Sequence, residues 1–397
     1  MNSITIVVVT YNRANSLNRL LNSLNNVNYL DDKVNLYISI DKEKENTDKH
    51  KEVVKIAQEF KWKYGEKILN IEETNLGLKE HILKCGNLTN IYENVIVLED
   101  DIVVSPMMYI YAKQVLEFYK NDTKIAGFGL YSFPKNPGNN LPFFPLNNGT
   151  DIYFMQFACS WGQIWTKDRW NEFYKWYIEN KNKEFKISNI PPIVCSWGEK
   201  SWLKYHIKYV IENNKFFVYP QVGLTTNFTD CGIHNNKSSF GYQCNIQCSN
   251  ENIKYRFQNL DEANNVYDAY FENMKINNYL KLDGDIECNI YGTKKMDNLK
   301  NKKYILTTKE YNFKIFHQYS LQMYPYELNV INNIEGNDIK IYDLSKKQKN
   351  KKETNEINLI KYFFKLDYLN NNQLIKIIKS FILELFSRIL NKIKRKK

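Results

Sequence analysis

The sequence predicts an α/β fold in which a mostly parallel sheet is flanked by helices. Two observations support this class. Residues 4–9 are an unbroken β-branched run, as expected of a strand that is buried on both faces of a sheet. After it, apolar runs alternate with segments in which apolar residues recur at helical spacing. Alternation of strand and helix along a chain is typical of a parallel sheet.

The elements of this sheet can be placed in order along the chain. The first helix is predicted where Leu17, Leu20, Leu21 and Leu24 follow the i, i+3, i+4, i+7 pattern. Further helices are predicted over residues 53–60, from 77 to about 85, and from about 167. The predicted strands are residues 4–9, 34–40, 68–71, 94–98 and 125–130.

Polar residues follow four of these predicted strands at the point where each strand ends. They are residues 10–13, Asp41, residues 75–77 and residues 99–101. Ligands of open parallel sheets bind at the carboxyl ends of the strands. We therefore expect these four groups to meet at one edge of the sheet and to form the functional site.

Glu99, Asp100 and Asp101 are three consecutive carboxylates at the end of an apolar run. Burying them is costly unless a positive charge neutralises them. Hard cations such as Mg²⁺ and Mn²⁺ take oxygen ligands, and they commonly bridge one or two protein carboxylates to substrate phosphates. The triplet therefore indicates a metal site. The alternative is a solvated acidic turn after a strand.

Together, these motifs resemble the nucleotide-binding half of GT-A glycosyltransferases in the style of family 2. The matching residues are, in order, 7–13 (VVVTYNR), Asp41, 75–77 (NLG) and 99–101 (EDD). A closer likeness is to the N-acetylglucosaminyltransferase I type, in which an acidic triplet is also followed by a strand and a Pro-initiated helix, here at residues 105–110. The resemblance covers about residues 1–245.

The resemblance implies a role for each of these residues. Asp101 would ligate Mn²⁺ or Mg²⁺, while Glu99 and Asp100 would contact the ribose and the donor sugar. Asp41 would bind the nucleobase. The other residues expected to bind the donor are Thr10, Tyr11, Arg13, Asn75, Gly77 and Lys79.

Two Trp-Gly pairs follow the sheet motifs, at Trp161 and at Trp197. An aromatic face stacks on the C–H surface of a sugar ring, and glycine lets the backbone approach a ligand closely. We expect Trp161 and Trp197 to bind the acceptor, with a place in the core as the alternative. The tryptophans expected in the core are Trp165, Trp170, Trp176 and Trp202.

An inverting transfer needs a general base within reach of the attacking hydroxyl. Glu199 is the first candidate, because it stands at about the position where the resembled family carries an aspartate in a Trp-Asp-Asp setting. Its alternative role is that of a carboxylate at a helix N-terminus. Asp230 is the second candidate. His234, in a Gly-X-His turn like that of the family, would contact the metal or the diphosphate, or would be an exposed loop histidine.

The seven cysteines are an odd number, which favours free thiols and a reducing compartment. Four residues have the spacing C-x2-H-x9-C-x3-C, which could hold a structural zinc ion, although the spacing is irregular. They are Cys231, His234, Cys244 and Cys248.

The composition divides the chain into four parts. A GT-A glycosyltransferase domain is predicted at residues 1–250. A small, mainly β appendage follows at 251–345, and it begins with a predicted helix at 260–274. A charged linker at 346–373, expected to be mobile, leads to a basic amphipathic helix at 374–397.

The basic charge is concentrated in this last part. Residues 374–397 contain eight Lys or Arg and one Glu, so they carry +7 of the net charge of +11. This distribution favours an anionic surface over a nucleic-acid partner. Apolar residues interleaved with lysines are typical of a helix in a membrane interface, with docking on a partner or a second copy as the alternative. With neither a signal peptide nor a spanning segment recognisable, we expect a cytoplasmic, peripheral membrane protein.

The resemblance, together with the acidic triplet, implies a metal-dependent glycosyltransferase that moves a hexosyl or N-acetylhexosaminyl group. The donor would be a nucleoside diphosphate sugar, in particular a UDP-sugar, and the acceptor a hydroxyl of a glycan or lipid-linked glycan, with inversion. A nucleotidyltransferase is one alternative, but its usual Gly-rich phosphate loop is absent near the N-terminus. A non-catalytic, membrane-associated carbohydrate-binding protein is another, and it leaves the acidic triplet without a purpose.

Overall fold

The computed structural model describes residues 4–45, 47–185, 189–228, 230, 240–249, 251, 253–295, 301–351 and 356–394. In these residues the strands β1 to β15 are, in order, Ile4–Thr10, Leu36–Ile40, Lys67–Ile71, Asn94–Glu99, Ile102–Val104, Ile125–Gly129, Ile152–Met155, Gln163–Thr166, Phe216–Pro220, Thr225–Asn227, Val266–Tyr267, Ile286–Asn289, Tyr304–Thr307, Phe313–Tyr319 and Ile339–Lys347. The helices α1 to α12 are, in order, Ala14–Leu24, Asp48–Glu59, Gly77–Gly86, Thr89–Tyr92, Met108–Phe118, Lys167–Asn180, Pro192–Cys195, Leu203–Glu212, Asn277–Leu280, Glu327–Ile331, Glu356–Phe364 and Asn371–Lys394.

Nine strands form the main sheet, in the order β11-β7-β9-β6-β8-β4-β1-β2-β3. The half that contains β4, β1, β2 and β3 is parallel throughout. Parallel pairs also join β6 to β9 and β7 to β11, whereas β8 runs antiparallel to both β4 and β6. The predicted α/β class with a mostly parallel sheet is therefore confirmed.

Strand β1 lies inside the protein, and every one of its residues is buried. Successive side chains of a strand point to opposite faces, so Val7 and Val9 enter one core cluster while Ile6 and Val8 enter another. Burial of each such side chain contributes about 1.5–3 kcal/mol. The helices that cover the two faces leave the strand ends as the place where polar groups can gather.

A second, four-stranded sheet has the order β12-β13-β15-β14, and it confirms the predicted small β unit in the C-terminal part. The prediction of a helix at residues 260–274 is wrong. Residues 266 and 267 instead form β11, which pairs with β7 in the main sheet. The buried side chain of Asn265 donates to the Ile152 carbonyl at 2.7 Å and holds this edge in place. The main sheet therefore takes a strand from beyond residue 250.

The segment expected to be a mobile charged linker contains the helix α11. Its residues Tyr362 and Phe363 are buried, and this packing orders a segment whose composition alone favoured a linker. The C-terminal helix α12 is present as predicted, although it begins at Asn371. Across the described ranges, no helix is both long enough and apolar enough to cross a bilayer.

The cysteines that the structure describes are free thiols: Cys85, Cys159, Cys195, Cys244, Cys248 and Cys288. Of the four residues with zinc-like spacing, Cys231 and His234 lie outside the described residues. The Sγ atom of Cys244 instead lies 3.3 Å from the Thr225 carbonyl oxygen.

Candidate functional site

The carboxyl ends of β1, β2, β3 and β4 lie side by side at one edge of the main sheet. Thr10 is the last residue of β1, and Glu99 is the last residue of β4, in register with Val9. Asp41 directly follows β2, and its backbone N–H donates to the Thr10 carbonyl at 3.0 Å. The structure therefore brings together the strand ends that the sequence singled out.

Arg13 holds two of the three acidic residues. Its Nη1 donates to Asp101 Oδ2 at 3.0 Å, and its Nη2 forms an ion pair with Asp100 Oδ1. The second oxygen of Asp100 accepts from the Thr10 hydroxyl at 2.7 Å. The side chain of Asp100 is 2% exposed. Thr10 and Asp100 therefore orient Arg13 from within the protein.

The charges at this edge are not balanced by Arg13 alone. Burial and, next in size, the charge of Asp101 raise the pKa of Glu99 to about 8. Burial also raises the pKa of Asp100 to about 6, although Arg13 opposes the shift. Burial by itself would lower the pKa of Arg13, but the two aspartates raise it above its ordinary value, so the guanidinium is charged. The site therefore favours a further positive charge.

Asp101 has an oxygen that suits a metal ion. Its Oδ1 atom is buried, and none of the described residues gives it a hydrogen-bond partner, which is a costly state for a carboxylate oxygen. Among the described residues, no group of three or more His, Cys, Asp or Glu side chains forms a complete metal cage. The donor set fits a hard cation that one carboxylate holds and that substrate phosphates and water complete. The other predicted ligand, His234, lies outside the described residues.

Asp41 closes the turn between β3 and α3. Its two carboxylate oxygens accept from the backbone N–H groups of Leu76 and Gly77, each at 2.8 Å. The Asn75 side chain donates to the Lys42 carbonyl at 2.6 Å. Gly77 has a φ of +73°, which glycine adopts without strain. Asp41 is itself 3% exposed, so its visible role is to position this turn.

Tyr11 lies partly buried at the same edge, beside Glu43 and Asp41. Burial is the largest cause that raises the pKa of Tyr11, and the charge of Glu43 adds to it. Glu43 is an addition that the sequence did not indicate. It accepts from the Asn12 side chain at 2.8 Å and from the Thr47 backbone N–H at 3.0 Å.

An aromatic cluster formed by Trp161, Tyr131 and Tyr242 lies next to the acidic triplet. The Ser160 side chain hydrogen-bonds to Glu99, and the next residue, Trp161, is partly buried. The Trp161 ring lies 4.8 Å from that of Tyr131 and 5.2 Å from that of Tyr242, between centroids. Sequence reasoning missed Ser160 and both tyrosines, because only the fold brings these distant segments together.

The turn that carries Trp161 requires glycine at position 162. Gly162 has a φ of +94°, and a Cβ atom there would lie 2.9 Å from the Thr225 side chain. The Thr225 hydroxyl donates to the Trp161 carbonyl at 2.6 Å. The glycine therefore serves the turn that presents Trp161, whereas Gly198 of the second Trp-Gly pair has open space around it.

Trp197 and Glu199 lie in the turn between α7 and α8. Trp197 is partly buried, with its ring centroid 6.3 Å from that of Phe157. Glu199 is exposed, and its charge acts on Lys204 and Tyr205 of α8. Of the tryptophans expected in the core, Trp165, Trp170 and Trp202 are buried and Trp176 is partly buried.

Lys79, at the start of α3, approaches the segment that carries Glu199. Its Nζ lies 5.9 Å from the ring centroid of Tyr205, and Lys204 Nζ lies 5.2 Å from the same centroid. Lys79 is partly buried and forms a 3.7 Å ion pair with Glu80. Lys79 therefore lies near Tyr205 of α8, which the charge of Glu199 also affects.

Asp230 is close to the triplet but is engaged by α1. Its Oδ2 accepts from the Ser16 hydroxyl at 2.5 Å and forms an ion pair with Arg19. The Arg19 guanidinium lies 3.5 Å from the ring centroid of Phe228, and the Phe228 N–H donates to the Asp101 carbonyl at 2.7 Å. Arg19 was not indicated by the sequence, since nothing in α1 alone shows that it faces Asp230.

No protein-family model matches this chain, and no curated protein matches it. Similar solved structures include a mannosyltransferase from Pyrobaculum calidifontis in complex with GDP-Man and Mn²⁺, with 13% sequence identity and a TM-score of 0.31 over 42% of this chain and 45% of that one. S. aureus TarS 1-349 is similar at 15% identity and a TM-score of 0.34 over 55% and 58% of the two chains. Its complex with UDP has 16% identity and the same TM-score and coverage. This chain thus matches about half the length of these structures.

Proposed function

We propose that this chain is a metal-dependent glycosyltransferase that uses a nucleoside diphosphate sugar, in particular a UDP-sugar. The observation that carries the proposal is the buried Oδ1 of Asp101, which has no hydrogen-bond partner in the described part of the chain and lies beside the Arg13 guanidinium at the carboxyl edge of a parallel sheet. A nucleoside diphosphate leaves as a polyanion, so its departure needs positive charge at this point. A bound Mn²⁺ or Mg²⁺ supplies such charge without proton transfer.

Each side chain at this edge has a role in the proposal. Asp101 holds the ion, and Arg13, oriented by Asp100 and Thr10, binds the diphosphate. Tyr11 and the turn that Asp41 closes border the nucleoside. The remaining donor contacts are proposed for Glu99, Asn75, Gly77 and Lys79, with His234 as a second contact to the metal or diphosphate.

The acceptor is proposed to bind on the side of Trp161, because this residue directly follows Ser160, which hydrogen-bonds to Glu99. Trp197 is proposed as a second aromatic contact for the acceptor. Glu199 is the preferred general base for an inverting reaction, because its carboxylate is exposed and none of the described residues donates a hydrogen bond to it. Asp230 is less suited, because Ser16 and Arg19 already donate to it. We propose a glycan or lipid-linked glycan at a membrane as the acceptor, and a hexosyl or N-acetylhexosaminyl group as the sugar.

A thermal-shift screen tests the donor site. UDP-, GDP-, CMP- and dTDP-sugars are added with and without Mn²⁺ to the full chain and to Asp101→Ala. A ligand that binds the native state raises its melting temperature by mass action. We expect one nucleotide class to raise the melting temperature only when Mn²⁺ is present, and we expect Asp101→Ala to lose this shift. Asp48→Ala, whose side chain is 99% exposed, is the matched control.

Three results would contradict this proposal. An equal shift in wild type and Asp101→Ala would remove the triplet from the donor site. Release of pyrophosphate from a nucleoside triphosphate and a sugar phosphate would favour a nucleotidyltransferase. Sugar binding with no donor binding and no donor hydrolysis would favour a non-catalytic carbohydrate-binding protein.

A further inference from the structure

The helices α11 and α12 expose apolar side chains that no part of the described protein covers. On α11 these include Ile357, which is 70% exposed, together with Ile360 and Phe364. On α12 the exposed apolar residues include Ile375, Ile378, Phe381, Ile382, Leu383 and Phe386. A groove of about 390 Å³, lined by residues such as Ile357, Leu366 and Leu374, lies between the two helices. We call these exposed apolar residues the C-terminal surface.

The opposite side of α11 is packed firmly on the protein. The Tyr362 ring stacks on Tyr324 with centroids 4.3 Å apart, and the Tyr362 hydroxyl donates to the Met323 carbonyl at 2.6 Å. Phe363 is 2% exposed, with its ring centroid 5.3 Å from that of Tyr291. Since these inner residues anchor the helix, its outer apolar residues are not needed for that packing. Exposed apolar surface of this kind marks an interaction site.

The positive charge of residues 371–397 favours one kind of partner for the C-terminal surface over another. Lys376 and Lys379 interleave with the exposed apolar residues, and residues 371–397 contain eight Lys or Arg against one Glu. A second copy of the chain would bring two such basic segments together, which repulsion between like charges disfavours. An anionic bilayer offers both acyl chains for the apolar residues and negative headgroups for the lysines.

We infer that α11 and α12 together form a docking surface for an anionic lipid bilayer. Because α11 is packed on the body of the protein through Tyr362 and Phe363, docking through both helices holds the main sheet in one orientation relative to the membrane. A tail attached through a mobile linker would not do so. The inference concerns a surface remote in sequence from the strand-end site, and it does not depend on the proposed reaction.

Sedimentation of the full chain with lipid vesicles tests this inference. We expect binding to phosphatidylcholine vesicles that contain phosphatidylglycerol, little binding to phosphatidylcholine alone, and weaker binding as salt is raised. Ile357→Ser on α11 and Phe381→Ser on α12 should each weaken binding by about tenfold, because apolar groups leave the interface. Ile91→Ser, at a residue that is also 70% exposed but lies on α4, should bind as wild type does.

The outcomes distinguish docking on a bilayer through both helices from docking through α12 alone and from binding of a second copy. If Ile357→Ser binds like Ile91→Ser while Phe381→Ser is impaired, α11 does not belong to the surface and the inference is wrong. Failure of the wild type to bind anionic vesicles would also overturn it. If the wild type sediments as a dimer without lipid and both serine variants on α11 and α12 are monomers, the surface binds a second copy instead. Unchanged melting temperatures in the variants would show that folding is intact.

Discussion

At the scale of single residues, the same carboxylate chemistry serves different purposes in different surroundings. Asp100 has both oxygens bonded and supports Arg13, whereas Asp101 keeps a buried oxygen for which the described ranges supply no hydrogen-bond partner. The same contrast separates the two candidates for the general base. Glu199 is exposed, and Asp230 is held by Ser16 and Arg19. In the sequence these carboxylates look alike, and only their contacts in the folded protein distinguish them.

We predict that Glu199→Gln lowers the rate of glycosyl transfer by about 10²–10⁴-fold, as removal of a general base does. Donor binding should be unchanged, because the charge of Glu199 acts on Lys204 and Tyr205 of α8 and no described contact joins it to the triplet. The measurement is the turnover number for transfer, alongside the donor-induced thermal shift. Asp230→Asn is the matched comparison, and it should retain most of the turnover. The opposite ranking of the two variants would make Asp230 the base.

At the scale of elements, the junctions between strands and helices shape the candidate site. Asp41, at the end of β2, binds two backbone N–H groups of the turn that precedes α3. This side chain couples β2 to α3 across 35 residues of sequence. The resemblance implied a contact of Asp41 with the nucleobase, and the structure adds a positioning role that no local pattern reveals.

We predict that Asp41→Asn lowers the free energy of unfolding by about 1–3 kcal/mol. The NH₂ group of asparagine would replace one acceptor oxygen and would face a partly buried backbone N–H donor. Donor affinity should fall as well, since the turn that carries Asn75 and Gly77 loosens. Urea denaturation and the donor-induced thermal shift measure the two effects. Asp48→Asn, at a side chain that is 99% exposed, should be near neutral. A neutral Asp41→Asn would mean that the turn holds its shape without this carboxylate.

At the scale of the whole molecule, buried ionisable residues lie between the main sheet and the four-stranded sheet. Glu327, at the start of α10, accepts from the Tyr267 hydroxyl of β11 at 2.8 Å and from the Asn273 side chain at 3.1 Å. Burial raises the pKa of Glu327 to about 7. Nearby, Lys294 forms ion pairs with Asp268 and Glu287. The contacts of Glu327 therefore tie α10 to the edge of the main sheet.

This junction predicts a pH dependence of stability. Glu327 has a folded pKa above its ordinary value of 4.5, so the folded state keeps a proton that the unfolded state releases. Its contribution is fully present below about pH 4.5 and is lost as the pH rises through about 7. Between these values, the proton that Glu327 keeps only in the folded state makes the free energy of unfolding fall by about 1.4 kcal/mol per pH unit.

Glu327→Gln removes this titration, so its free energy of unfolding should fall less steeply than that of wild type between about pH 5 and about pH 7. Denaturant unfolding at several pH values measures the two slopes. Glu335→Gln, at an exposed residue, should follow the wild-type slope. A difference between wild type and Glu327→Gln that does not change with pH would show that Glu327 is ionised throughout.

The sequence alone determined the α/β class, the positions of β1 to β4, and the meeting of the strand ends at one edge. These features depend on local apolar patterns and on the geometry of parallel sheets, which a single chain segment already contains. The exposed, basic character of α12 was predictable for the same reason. The strand at residues 266–267 was not, because its helical apolar spacing was overridden by packing against β7.

Only the tertiary structure decided which side chains act together. Arg13 meets Asp100 across 87 residues, and Ser16 meets Asp230 across 214. Trp161 joins the triplet through Ser160, and α11 is ordered by Tyr324 and Tyr291. Hydrogen bonds and burial at these points depend on atoms from distant segments, so a pattern read along the chain can name the chemical groups but not their partners. The proposed metal site depends on the Asp101 oxygen that lacks a partner among the residues the structure describes, and this feature is visible only once the other contacts are in place.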